Sequence, residues 1–155
     1  MTVSTSIRRA EPRDVERIAT FNIRMAEETE GKKLDVETVR QGVSKVINDS
    51  GKGFYILAED EYDQSVIGQL LVTFEWSDWR NKNFWWIQSV YVDPKFRRKR
   101  VFSRLFRFLK ELANLNGEDI CGFRLYVEEN NETAKKTYEA MGFKKTTYEV
   151  YETEF

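Results

Sequence analysis

Two runs rich in β-branched and aromatic residues, FWWIQSVYV (84–92) and ICGFRLYV (120–127), flank one stretch of helical spacing, and this constrains the fold most. Within the stretch Phe102, Leu105, Phe106, Leu109, Leu112 and Ala113 share a face, and Asn116-Gly117 stops it. A strand, a crossover helix and a second strand place the two strands parallel within one sheet. Upstream, FYILAE (54–59) and VIGQLLVTFEW (66–76) are separated by short polar turns, so with 84–92 they form an antiparallel meander. Ser6 to Arg9 is a short first strand. Asp14 caps a helix with the stripe Val15, Ile18, Ala19, Phe21, Asn22 and Met25. EETEGKK (27–33) is a loop, and Asp35 caps a second helix bearing Val36, Val39, Val43 and Val46. Asn131 caps a last helix with Ala134, Tyr138 and Met141, Gly142 ends it, and FKKTTYEVYE (143–152) closes the chain as a strand. The expected order is β-α-α-β-β-β-α-β-α-β, an α/β (α+β) chain with a mixed, mostly antiparallel sheet. A chain of 155 residues reads as a single domain, 1–155.

Composition removes whole classes of chemistry. There is no histidine, so Ser-His-Asp and Cys-His catalysis are excluded. The commonest metal ligand goes with it, and no metal is expected. A general base near neutrality must be Glu, Asp, Lys, Tyr, the α-amine or a water. Cys121 is the only cysteine, which allows no intramolecular disulfide and fits a reducing cytoplasm. No apolar run reaches the roughly 20 residues of a membrane span, and MTVSTSIRRAEPRD has no apolar segment of a secretory signal. A cytoplasmic location is expected; the sequence allows a homodimer without arguing for one.

Charge is balanced overall, with a net −1, yet from Lys95 to Lys110 no acidic residue appears while Lys95, Arg97, Arg98, Lys99, Arg100, Arg104, Arg107 and Lys110 do. The cluster lies where a strand ends and a helix begins. The first N–H groups of a helix have no partner inside it, and its dipole favours an anion at that end. A phosphate site and a solvated basic face both fit the spacing. Nucleic acid is a third reading, opposed by the slightly acidic whole and by aromatics spaced as strand core.

The run SVYVDPKFRRKRVFSRL resembles the acetyl-CoA signature of the Gcn5-related N-acetyltransferase (GNAT) superfamily: V-x-P-x-x-R, then R/Q-x-x-G-x-G/A opening a helix. VEENNETAKKTYEAMGF is similar to the family's N-x-x-A-x-x-x-Y-E-x-x-G-F, with Asn131, Ala134, Tyr138, Glu139, Gly142 and Phe143 in place. The resemblance extends to the element order and to the tryptophan-rich stretch 75–92, a trait of an uncharacterised subgroup. Arg100 and Phe102 stand where the family has small residues.

The resemblance implies a GNAT fold with helices on both faces, and transfer of acetyl from acetyl-CoA directly to an amine of a small molecule or peptide. It assigns the cosubstrate to Val90, Tyr91 and Val92, with the backbone groups of Val90 and Val92 holding it, to the loop Arg97, Arg98, Lys99, Arg100, Val101, Phe102 and Ser103, and to Asn131. A plain helix cap is the other reading of Asn131. Tyr138 is the implied acid for the departing thiolate, or else a half-buried core tyrosine. With no histidine, Glu75 is the candidate base, lying at a strand end within aromatic surroundings that would raise its pKa; a surface carboxylate is the alternative. Glu27, Glu28 and Glu30 could attract a cationic acceptor or form a solvated loop. Trp76, Trp79, Trp85 and Trp86 could wall a pocket, although alternation sends Trp85 and Trp86 to opposite faces. A right-handed backbone at Arg100 needs no glycine and lets the side chain reach a phosphate. The competing class is a non-catalytic acyl-CoA-binding or partner-binding module on the same fold.

Overall fold

The structure, a computed structural model, describes residues 2–155. They form two compact units that divide between Leu125 and Tyr126.

The first unit contains β1 (Thr5–Arg9), α1 (Val15–Glu30), α2 (Val36–Asn48), β2 (Phe54–Asp60), β3 (Val66–Ser77), β4 (Lys82–Val92), α3 (Val101–Leu115) and β5 (Ile120–Arg124). The sheet order is β1-β2-β3-β4-β5, antiparallel up to β4 and parallel between β4 and β5. The parallel pair is the one the crossover demands.

Alternation along β2 and β3 makes two cores. Tyr55, Leu57 and Leu71 face α1 and α2, where Ile18, Ala19, Phe21 and Val43 cover them. Ile56, Ala58, Leu70 and Val72, all fully buried, belong to the opposite face, against which α3 packs. Gly68 lets α3 approach: a Cβ there would lie 2.9 Å from Val101 Cγ1 and 3.5 Å from a Leu105 methyl. Arg104 fixes the other side of α3, donating to Thr5 O at 3.2 Å and Thr5 Oγ1 at 3.0 Å.

Three expectations need correction. The stretch 27–30 is helix, not loop, because nothing in EETE breaks α1 before Gly31, whose left-handed φ of 61° ends it. Asp14 does not cap α1. Its buried carboxylate accepts from the two terminal Arg8 guanidinium nitrogens, at 2.7 and 2.9 Å, and from the Glu11 N–H at 2.7 Å. Burial works to raise the Asp14 carboxyl, but these donors outweigh it and hold the pKa below the ordinary value.

The second unit holds α4 (Glu132–Ala140), capped by Asn131 Oδ1, which accepts from Ala134 N at 3.1 Å. The closing strand expected at 143–152 is not found in this unit, whose only regular element is α4. A strand exists only as half of a ladder, and this unit taken by itself offers no second strand.

Candidate active site

β4 changes character halfway along. Leu71 pairs with Gln88 and Gln69 with Tyr91, so three steps of β4 oppose two of β3. The extra residue makes a bulge at Ser89, whose φ is +51°. Pairing with β5 covers only Asn83 to Trp86. Beyond Trp86, among the described residues, β4 has β3 on one side and no ladder on the other. Val90, Tyr91 and Val92 therefore lie on a strand with a free edge, a template for an extended ligand. The Tyr91 side chain is held in the core, its ring 4.9 Å from Phe21.

The chain leaves this edge through a short turn at Pro94–Phe96 and enters α3. Arg98 and Arg100 both have left-handed backbones, with φ of 62° and 64°. The right-handed backbone that would need no glycine is not found at Arg100: this is a glycine-type position occupied by arginine. Arg104 N donates to Arg100 O at 3.1 Å, and among the described residues no side chain caps the helix. The N–H groups of Val101, Phe102 and Ser103 precede that first bond and are the orphan donors of the helix start.

The basic cluster divides by role. Arg97 turns inward, its Nε donating to Val92 O at 2.9 Å and its Nη2 to Glu28 Oε2 at 2.8 Å. Tyr91 donates its hydroxyl to the other Glu28 oxygen at 2.9 Å. The Arg97 hydrogen bond, aided by Tyr91 and opposed by desolvation, holds Glu28 below the usual carboxylate range. Glu28 thus joins the end of α1 to the loop before α3. Arg104 is bound to β1 as described, and Arg107 pairs along the helix with Glu111 at 3.5 Å. Arg98, Lys99 and Arg100 form no ion pair among the described residues, and they flank the helix start. Phe102 is half-buried and stacks on Phe106 at 6.3 Å, so its bulk lies along the helix face. Unpaired N–H groups, three cations without an ion pair and a free strand edge in sequence form a donor set that fits a diphosphate joined to an extended chain, as in CoA.

On the α1–α2 face, Glu75 lies opposite Phe84 in the ladder. Its carboxylate meets Arg124 Nη1 at 2.5 Å, and the Arg124 guanidinium covers the Phe84 ring at 3.7 Å. The surroundings expected for Glu75 are aromatic; the structure adds a cation that sequence reading does not single out. One row nearer the bulge, Gln88 Nε2 donates to Thr73 Oγ1 at 2.8 Å. The tryptophans do not form one wall. Trp85 points the other way, into a cluster with Phe54, Phe74 and Phe123, while Trp76 and Trp79 are 59% and 85% exposed.

In the second unit Tyr138 is half-buried with its ring 5.8 Å from Phe143. Burial pushes its hydroxyl above the ordinary tyrosine pKa, so it stays protonated through the neutral range. Asn131 is the cap of α4, the plainer of its two readings.

Gln69, fully buried beneath the bulge, is missed by sequence reading. Its only advance signal is Asn22, a polar residue on an otherwise apolar helix stripe.

The sequence pattern of the Acetyltransferase (GNAT) family matches residues 16–143. No curated protein matches the chain. Among solved structures, a possible acetyltransferase from Clostridium difficile 630 is 44% identical over 97% of both chains, with a TM-score of 0.89. A predicted acetyltransferase with acetyl-CoA from Clostridium acetobutylicum has a TM-score of 0.78 at 15% identity, covering 97% of this chain and 96% of that one. A ribosomal-protein-alanine N-acetyltransferase from Brucella melitensis biovar Abortus 2308 has 0.76 at 15%, covering 98% and 99%. The last two show likeness of fold alone. The split β4–β5 pair leading into an uncapped basic helix start now has its family: this chain belongs to the GNAT acetyltransferases and is an acyl-CoA-dependent N-acetyltransferase.

Proposed function

We propose that the chain transfers acetyl from acetyl-CoA directly to an amine, with the cosubstrate along the free edge of β4 and its diphosphate at the start of α3. The observation that carries this reading is the continuity of the two. A strand edge without a ladder after Trp86 leads within one turn to orphan N–H groups beside Arg98, Lys99 and Arg100. Backbone groups of Val90 and Val92, which alternation turns away from β3, hold the extended arm by β-pairing, with Tyr91 between them anchored in the core. Val101, Phe102 and Ser103 offer N–H groups to phosphate. The family profile runs across both units, which supports one N-acetyltransferase domain over 1–155.

Acetyl-CoA, when bound, supplies the activated acyl group and a thiolate leaving group. The protein must remove a proton from the attacking amine and return one to sulfur. Glu75 takes the amine proton, and Arg124 steadies its carboxylate. By the resemblance of its motif to the family's, Tyr138 is the acid that returns a proton to the sulfur as the carbon–sulfur bond breaks. Asn131 holds the start of the helix that carries Tyr138. The acceptor is a small-molecule or peptide amine approaching from the α1–α2 face, where Glu75, Gln88 and Thr73 line up.

Calorimetry with CoA, followed by acetyl-CoA turnover against a panel of polyamines, amino acids and peptide N-termini, tests the reading. A 1:1 complex and thiol release that depends on an amine are expected. No heat and no thermal shift at millimolar CoA would refute it. Binding with no turnover on any amine would favour the non-catalytic acyl-CoA module.

A further inference from the structure

We propose that Gln69 is a positioning residue that clamps the β4 bulge at Ser89 and so decides which backbone groups of β4 face its free edge. The inference rests on the reading above for its consequence in CoA binding, but not for the clamp itself.

Gln69 is 0% exposed, in the middle of β3. Its Nε2 donates to Asn22 Oδ1 at 2.7 Å and to the Ser89 carbonyl at 3.2 Å. Asn22 in turn donates to Tyr55 Oη on β2 at 3.3 Å. A chain of side chains thus runs from β2 through α1 and β3 to the one left-handed residue of β4. Gln69 Oε1 is buried with no partner among the described residues. A glutamine kept for packing would be poorly chosen here, since a buried orphan oxygen is costly. What the amide provides is its two donors, one fixed to α1 and one spent on Ser89.

The bulge matters because a strand alternates. Successive residues present their N–H and C=O to opposite sides, and a one-residue slip exchanges the sides. Before the bulge Trp86 and Gln88 oppose Thr73 and Leu71; after it Tyr91, not Val90, opposes Gln69. Without the extra residue, Tyr91 would turn from Phe21 and Glu28 toward the α3 face. The backbone groups now at the free edge would turn into the β3 ladder. Serine at φ +51° does not hold this turn by preference, because an L side chain disfavours the left-handed region. The Gln69 donor supplies the missing preference by fixing the carbonyl of that same residue.

The test is a cycle of Gln69→Met, which keeps length and removes both donors, against Ser89→Gly, which takes the left-handed turn without strain. Two quantities are read in each variant: amide hydrogen exchange of Ser89, Val90 and Tyr91 without ligand, and KM for acetyl-CoA. Gln69→Met in the otherwise native chain should speed exchange at those amides about tenfold relative to Leu70 and Val72, and raise KM about tenfold with kcat changed less than threefold. With glycine at 89 the same substitution should change both by less than threefold. Equal losses in both backgrounds, or a fall in kcat at constant KM, would mean that Gln69 only fills the core, and would overturn the proposal. If the native chain bound no CoA, the function reading would fail while the exchange arm still judged the clamp.

Discussion

Arg100 offers the sharpest separation of charge from backbone. Its φ of 64° and ψ of 20° place an arginine where an L side chain costs about 1–2 kcal/mol. Glycine would remove that cost but would return about 0.5–1 kcal/mol through its freer unfolded chain. The net gain from Arg100→Gly is therefore about 0–1.5 kcal/mol, or up to about 6 °C in Tm for a chain of this size. Arg100→Ala keeps a Cβ in the same left-handed turn and should not gain. Arg100 is exposed and forms no ion pair among the described residues, so neither substitution breaks an ion pair. Binding should order differently. Both substitutions remove one charge-assisted contact to phosphate, worth about 1–2 kcal/mol at an exposed site. Glycine alone also lets the backbone come closer to the anion. Calorimetry should give affinity for CoA in the order arginine, glycine, alanine, and scanning fluorimetry should give stability with glycine first. The affinity gap between arginine and alanine should shrink with 3′-dephospho-CoA if Arg100 meets the 3′-phosphate. A glycine variant that binds CoA more tightly than the native chain would refute the idea that charge compensates for the lost glycine. A glycine variant less stable than alanine would refute the strain argument itself.

The sequence carried the parallel pair and the meander because periodicity reports burial, and burial is what these strands share. It carried the helix start at 101 because the chain turns from alternation to a 3.6-residue stripe there. It could not carry the conformation of Arg98, Arg100 or Ser89. None of these is glycine, and the left-handed turns at them are imposed by the surrounding loop and ladder rather than preferred by the residues. Asp14 misleads for a similar reason: a carboxylate before a helix looks like a cap, but Arg8, six residues earlier on β1, competes for it and wins by two hydrogen bonds. The charge of Arg97 was legible but its inward turn was not, since its partner Glu28 is 69 residues away in sequence. The end of α1 was lost because EETE lacks apolar periodicity, although each of its residues continues a helix that burial has already started.

Three further expectations concern the core and the reaction. Gly68→Ala would drive a methyl to within 2.9 Å of Val101 at the start of α3; a loss of about 1–3 kcal/mol, with weakened CoA binding, should appear in denaturant melts and calorimetry. Asp14→Asn tests linkage: the native pKa is depressed, so the pair's stabilisation is present above the unfolded value of about 4 and is lost as pH falls through the native one. The variant should be less stable near neutrality by about 1–3 kcal/mol, with a flatter Tm profile below about pH 4. Tyr138→Phe removes one hydroxyl and little packing, and kcat should fall about 10- to 1000-fold with KM for acetyl-CoA nearly unchanged in steady-state assays. The last expectation is Glu75→Gln, which keeps shape and a polar partner for Arg124, while the guanidinium retains its seat on Phe84. The fold should hold, so a change in rate reports chemistry. If Glu75 takes the amine proton, kcat should drop about 10²- to 10⁴-fold, and the acidic limb of the pH–rate profile should vanish, because no histidine can supply it. If the rate drops but the limb persists unchanged, Glu75 acts by holding Arg124 in place, and the proton leaves the amine through water.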